Sequence, residues 1–258
     1  MKIDKNQLIQ QRGDLSDFLI HLTRSGRIKR FKELYSLEKD DVSTVSARES
    51  VISIIQNRRI EARSPFGYFN FKVPMQRGNS TLNSNSKIKR EWLRAVCLTE
   101  TPLDHIHLQT KNIIGRSLHF EPYGLAFKEA VIAKAGGNPV SYIHTDNASH
   151  RSTFDAMATS NDCSKFRSLF PLIEGFGPPW FRNSYGPNEI DFRWEREWRI
   201  TGDFSFKLDD IAFGLCPEAE IKTFESLVNR QIPFVDPTAD INHIKQKLRK
   251  CPHLRFIK

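Results

Sequence analysis

The chain has 258 residues, 39% hydrophobic and 27% charged, a balance that suits one soluble globular domain with a buried core and excludes fibrous or disordered architectures. No stretch approaches the roughly eighteen unbroken apolar residues of a membrane-spanning helix, and the opening residues 1–7 have no apolar signal core, so the expectation is a cytoplasmic protein without membrane contact. Cys97, Cys163, Cys216 and Cys251 form no Cys-x-x-Cys pair, which argues for reduced thiols over structural zinc, and the net charge of +9 favours an anionic partner.

Residues 1–20 begin polar, as a short helix or an arm. Asp17-Phe-Leu-Ile-His-Leu-Thr-Arg24 is a compact apolar run that predicts a buried first strand with His21 and Thr23 on one face. On its own, His21 reads as a core histidine. Residues 24–45 are charged and without a period, which predicts a surface excursion. From Ser46 to Ile60 a helix is expected, with Ser46 or Thr44 capping its first turn, Glu49 near the positive dipole end, and Val51, Ile52, Ile54, Ile55 and Ile60 on its apolar side. Residues 66–73 lean towards β structure, and 76–86, rich in Gly, Ser and Asn, predict an open polar loop. Residues 95–103 predict a short strand that ends in a turn at Pro102 and presents Thr99, Glu100 and Thr101.

Further on, 123–132 predict a strand running into a short helix, 136–143 a turn and a strand, and 164–173 a helix. The Gly/Pro-rich stretch 175–189 reads as a connector or a lid. Asp191-Phe-Arg-Trp-Glu-Arg-Glu-Trp-Arg-Ile200 alternates like a strand, with Glu195, Glu197 and Arg199 on one face and Trp194, Arg196, Trp198 and Ile200 on the other. Two acids at that spacing repel unless a cation, a substrate hydroxyl or a shared proton compensates. Salt bridges to Arg193, Arg196 or Arg199 explain them as well as catalysis does. The remainder predicts a buried strand at 210–216, a helix at 217–230, a short strand at 232–235, a basic helix at 241–249 and a last strand at 254–257. With no internal repeat, the pattern indicates an α+β fold: a mixed, largely antiparallel split β-sheet core with flanking helices, one domain over 1–258 with surface insertions near 24–45, 74–90 and 144–190.

These pieces fit one chemistry. A histidine on a first core strand, a hydroxyl or aromatic from a middle strand and a late Glu-x-Glu suit a nicotinamide ribose: the histidine holds a ribose hydroxyl, the aromatic stacks on the nicotinamide, and a carboxylate stabilises the oxocarbenium ion. Arg24 and Arg199 are the candidate cations for the pyrophosphate.

The His21-Leu-Thr opening, Asn57-Arg-Arg-Ile60, Cys97-Leu-Thr-Glu-Thr-Pro102, Tyr123-Gly-Leu-Ala-Phe127, Gly137-Asn-Pro-Val-Ser-Tyr142 and Glu195-Arg-Glu-Trp-Arg199 resemble the AbiGi abortive-infection family and related bacterial phage-defence proteins. More remotely, the first-strand histidine and late Glu-x-Glu resemble the ADP-ribosyltransferase fold, including DarT-like toxins. The resemblance implies a phage-defence or toxin–antitoxin setting, with NAD as substrate, no metal, and a nucleic-acid or protein acceptor. It implies Glu197 as the catalytic acid at the cofactor, Glu195 orienting the acceptor, and His21, Thr23, Arg24, Thr99, Tyr123 and Arg199 around NAD. No clear Ser-Thr-Ser strand is present, and Cys97-Leu-Thr99 stands in its place. Two other readings remain open: a non-catalytic antitoxin or phage-sensing module that binds a partner toxin, antitoxin or phage protein through a basic surface, and a metal-dependent nuclease using Glu100, Glu195 and Glu197. The latter lacks an accompanying Asp/Glu-x-Lys pattern.

Overall fold

The computed structural model describes residues 16–28, 43–63, 67–73, 75–77, 80–82, 85–111, 119–177, 191–229, 231–255 and 257. They belong to two compact units, one formed by 1–59, 101–129 and 206–258, the other by 60–100 and 130–205. Both are α+β, and most of their strand pairs are antiparallel.

In the first unit, the strand Phe18–Leu22 lies antiparallel to Gly124–Lys128, with His21 opposite Leu125. Ile211–Leu215 pairs antiparallel on the far side of Gly124–Lys128, and Phe234–Val235 adds to it in parallel. Phe18, Ile20 and Leu22 join Phe213, Leu215, Ile244, Leu248 and Leu254 in one core cluster, while the alternate residue Leu19 is also fully buried. A strand covered on both faces needs a near-continuous apolar run, which is why this element is plain in the sequence. Gly214 stands opposite Phe234 in the parallel pair, and a Cβ built there would clash with one edge of the Phe234 ring. Gly214→Ala is therefore expected to cost about 1–3 kcal/mol by overpacking. A thermal melt reads this directly, and an unchanged midpoint would refute it.

The helix Ala47–Asn57 starts as its sequence dictates. Ser46 Oγ accepts from the Glu49 amide at 3.1 Å, and the Glu49 carboxylate accepts from the Ser46 amide at 2.9 Å, a reciprocal capping box. It ends at Arg58, left-handed at φ 51°, which turns the chain into the strand Arg59–Ile60. The helices Ile221–Leu227 and Ile241–Arg249 complete this unit, the second on the expected residues.

In the second unit, Glu197–Thr201 is the middle strand, antiparallel to Ala95–Thr99 on one side and Asn138–Pro139 on the other. Ser141–His144 pairs in parallel with Ile173–Phe176. The core beside them is aromatic: Tyr68, Phe69 and Phe170 are buried, with Phe69 and Phe170 ring centroids 4.6 Å apart, and Trp92 stacks on Phe170.

Several expectations are corrected. Of the stretch 66–73, residues 67–73 do not form a strand: Tyr68–Lys72 is a 3₁₀ turn, because consecutive Tyr68 and Phe69 both face the core, which strand alternation forbids, and Phe66 lies outside the described residues. The polar stretch after it is a hairpin, Met75–Arg77 against Ser80–Leu82, and the excursion after residue 24 begins and ends in a strand pair, Gly26–Ile28 with Ser43–Val45. Within 164–173 there are two 3₁₀ turns, Cys163–Phe166 and Phe170–Leu172, while the longer helix Ala148–Thr159, capped by Asn147, precedes them. Of the expected last strand, 254–257, Leu254 ends a 3₁₀ turn, Pro252–Leu254, and Phe256 lies outside the described residues. Ile173–Phe176 takes up the start of the connector or lid at 175–189, and residues 178–190 lie outside the described residues.

Candidate functional site

The Glu-x-Glu strand is shorter than its alternation indicates. Asp191 Oδ1 accepts from the Arg193 amide at 3.0 Å, its carboxylate pairs with the Arg193 guanidinium at 2.7 Å, and Trp194 Nε1 donates to the Asp191 carbonyl at 2.9 Å. These bonds close a 3₁₀ turn over Arg193–Glu195, and Arg196 follows in the left-handed region at φ 48°. The strand starts only at Glu197. Glu195 thus sits in a turn, not beside Glu197 on one strand face. Thr99 Oγ1 donates to the Glu195 carbonyl at 2.6 Å, so these two sequence candidates meet, with the threonine bracing the turn.

Glu197 and Arg199 do share a face. Arg199 is 1% exposed, and its Nη2 lies 2.6 Å from Glu197 Oε2 and 3.0 Å from Glu174 Oε2, while Nη1 donates to the Pro171 carbonyl at 2.6 Å. Burial works against the guanidinium charge, but Glu197, Cys97 and Glu174 outweigh it and hold the arginine pKa well above its usual value. Burial pushes the Glu174 carboxyl up to about 7 against the pull of Arg199. Burial, aided by Glu197, also keeps Cys97, opposite Arg199 across the strand pair, as a thiol. Beside this cluster opens a pocket of about 180 Å³ lined by Glu100, Pro139, Val140, Tyr142, Arg196, Glu197 and Trp198. Glu100 takes Trp198 Nε1 at 3.2 Å and lies 3.4 Å from Arg196 Nη2, and the Tyr142 hydroxyl donates to the Phe192 carbonyl at 3.2 Å.

The remaining candidates lie in the first unit. His21 is half-buried on the strand Phe18–Leu22, and Arg24 is exposed just beyond it. Buried Thr23 donates through Oγ1 to the carbonyls of Ala47, at 2.9 Å, and Tyr123, at 3.2 Å, which ties the strand end to the Ala47–Asn57 helix. The Tyr123 hydroxyl donates to Glu220 at 2.7 Å, and Glu220 also pairs with Arg48, whose guanidinium lies over the Phe224 ring. Burial and then Glu220 push the Tyr123 phenol up to about 12, while its ring rests 6.0 Å from Phe224. Thr23 and Tyr123 therefore come together through their backbones and the Thr23 hydroxyl.

Glu174, Arg48 and Glu220 escaped the sequence reading. For Glu174 a signal existed: a single acid inside the apolar run Phe170-Pro-Leu-Ile-Glu-Gly-Phe176 requires a partner once buried. Among the described residues, no group of three or more His, Cys, Asp or Glu side chains is arranged to hold a metal ion.

Residues 71–234 match a family model described as "Putative abortive phage resistance protein AbiGi, antitoxin". Neither a curated protein nor a solved structure matches the chain.

Proposed function

The chain belongs to the AbiGi family of abortive-infection antitoxins, and we propose that it serves phage defence by binding and restraining a toxin, without turning over a substrate of its own. Family membership carries this reading. The chemistry of the Glu197 strand supports it: the carboxylate that NAD cleavage would use to stabilise a ribosyl cation is paired with buried Arg199, which Glu174 also contacts. A carboxylate already compensated by a guanidinium has less stabilisation to offer a developing cation. Tyr123, the proposed nicotinamide platform, packs on Phe224 and hydrogen-bonds Glu220.

The rival is the finer reading of the sequence, an ADP-ribosyltransferase-like fold that cleaves NAD through Glu197, with Glu195 and His21 assisting and a nucleic-acid or protein acceptor. One pair of measurements decides between them. In cells expressing a candidate toxin encoded beside this chain, wild type and Glu197→Gln are both expected to restore growth, and the purified protein is expected to release no nicotinamide from labelled NAD. Nicotinamide release or label transfer that disappears in Glu197→Gln would overturn the binding reading in favour of catalysis.

A further inference from the structure

A one-sided charge distribution closes the first unit. From Ile241 to Lys258 there is no Asp or Glu, whereas Lys245, Lys247, Arg249, Lys250, Arg255 and Lys258 all carry positive charge. The helix Ile241–Arg249 buries Ile244 and Leu248 in the core, and Leu254 follows them. Its flanking lysines are neutralised: Lys245 pairs with Asp104 at 3.0 Å and Lys247 with Glu225 at 3.3 Å. The outer residues differ. Asn242, His243, Gln246, Arg249 and Lys250 are exposed at helical spacing, so they form one stripe, and Arg255, just after the following 3₁₀ turn, is exposed as well. Among the described residues, no carboxylate pairs with Arg249, Lys250 or Arg255, although Arg249 Nε donates to the Ile257 carbonyl. The nearest acid, Asp240, is engaged in capping the helix through the amides of Asn242 and His243.

Cations in a last helical turn have a structural use, since they complement the negative dipole end by roughly 0.3–1 kcal/mol each. That accounts for Arg249 and Lys250. It does not account for Arg255, which lies beyond the helix, or for a stripe made wholly of amide, imidazole and cationic groups. These are the side chains that contact phosphates and base edges. Docking on a protein draws its affinity from aromatic and aliphatic anchors, and the stripe has none. Gripping a single strand calls for exposed aromatic platforms, also absent from it. A helix with its side chains is about 10–12 Å across, which fits the roughly 12 Å width of the B-form major groove, whereas the A-form groove is too narrow to admit one.

We infer that the exposed face of the Ile241–Arg249 helix, with Arg255, binds double-stranded DNA through its phosphate backbone, a capacity separate from restraint of a toxin. Fluorescence anisotropy with a labelled 20-base-pair duplex at low salt tests this. Lys250→Ala combined with Arg255→Ala is expected to weaken binding about tenfold and to flatten the plot of log K against log salt by roughly two, one for each phosphate contact removed. Gln246→Glu, which introduces a negative charge in the middle of the stripe, is expected to weaken binding as well. Lys134→Ala combined with Arg151→Ala removes the same charge from exposed positions elsewhere and is expected to leave affinity and slope near wild type. Circular dichroism melts establish that each variant is folded. The inference is overturned by absence of duplex binding, by equal losses in the Lys134/Arg151 variant, or by binding of duplex RNA, single-stranded DNA or poly-glutamate as tight as that of duplex DNA. Toxin restraint is read separately in the growth assay, where the Lys250/Arg255 variant is expected to rescue like wild type. A failure of either reading therefore leaves the other standing.

Discussion

Arg199→Met is expected to destabilise the protein by about 3–5 kcal/mol, the usual cost of removing one partner from a buried ionic cluster. The guanidinium is 1% exposed and holds three acceptors: the Glu197 and Glu174 carboxylates and the Pro171 carbonyl. Methionine fills much of the volume but leaves Glu174, itself 1% exposed, without its cation, and leaves the Pro171 carbonyl short of a donor. Glu197 is better placed to recover, because its side chain is 12% exposed and borders the open pocket. Arg199→Lys should lose less: an ammonium restores the charge but not the planar fork that reaches two carboxylates and a carbonyl together. Combining Arg199→Met with Glu174→Gln should cost less than the sum of the two, since the second change removes the acid that the first strands. Urea unfolding gives all four values. A loss below about 1 kcal/mol for Arg199→Met, or strict additivity in the double variant, would show that the cluster does not hold this strand in place.

What could be read from the sequence follows the range of the interactions involved. The strand Phe18–Leu22, the Ser46 to Glu49 capping box and the helix Ile241–Arg249 are written in neighbouring residues, because burial on two faces, a four-residue cap and a 3.6-residue period are local signatures. The stretch 191–200 misleads for an equally local reason. Its alternation is a good strand pattern, but Asp191 captures the Arg193 amide and guanidinium while its carbonyl takes the Trp194 indole, so side-chain bonds win three residues for a turn. Part of the candidate site was legible in the same way: Glu197 and Arg199, two apart on a strand, face each other, as the salt-bridge alternative required. The partner of Glu174 was not, because Arg199 lies 25 residues away and meets it only once Ile173–Phe176 has docked on its own parallel partner. The link from Tyr123 to Glu220 spans 97 residues and left no mark in composition or spacing.

The same cluster gives stability an unusual pH dependence. With both carboxylates ionised, Glu174, Glu197 and Arg199 together carry one excess negative charge in a buried site, and a proton on Glu174 relieves it. Burial accordingly raises that carboxyl to about 7, with Glu197 adding to the rise and Arg199 opposing it. An unfolded glutamate titrates near 4.3, so between about 4.3 and 7 the native state holds a proton that the unfolded chain has released. Stability from this group is then fully present below the unfolded value, falls as pH rises through the window, and levels off above the folded value, for a total on the order of 3 kcal/mol. Glu220, Asp191 and Glu49 have lowered values and act in the opposite sense, losing stability as pH falls through their folded values, so wild type alone superimposes the two trends. Glu174→Gln separates them. Glutamine cannot titrate, and its one carbonyl oxygen can still accept from Arg199 as Glu174 Oε2 does, while the bond that Oε1 accepts from the Gly175 amide is lost at every pH. The variant's stability relative to wild type should be lowest near pH 4 and highest near pH 8. The difference between the two unfolding curves should shift across the window and then remain constant. Parallel curves from pH 5 to 8 would mean that Glu174 stays ionised throughout, with the excess charge relieved elsewhere in the cluster.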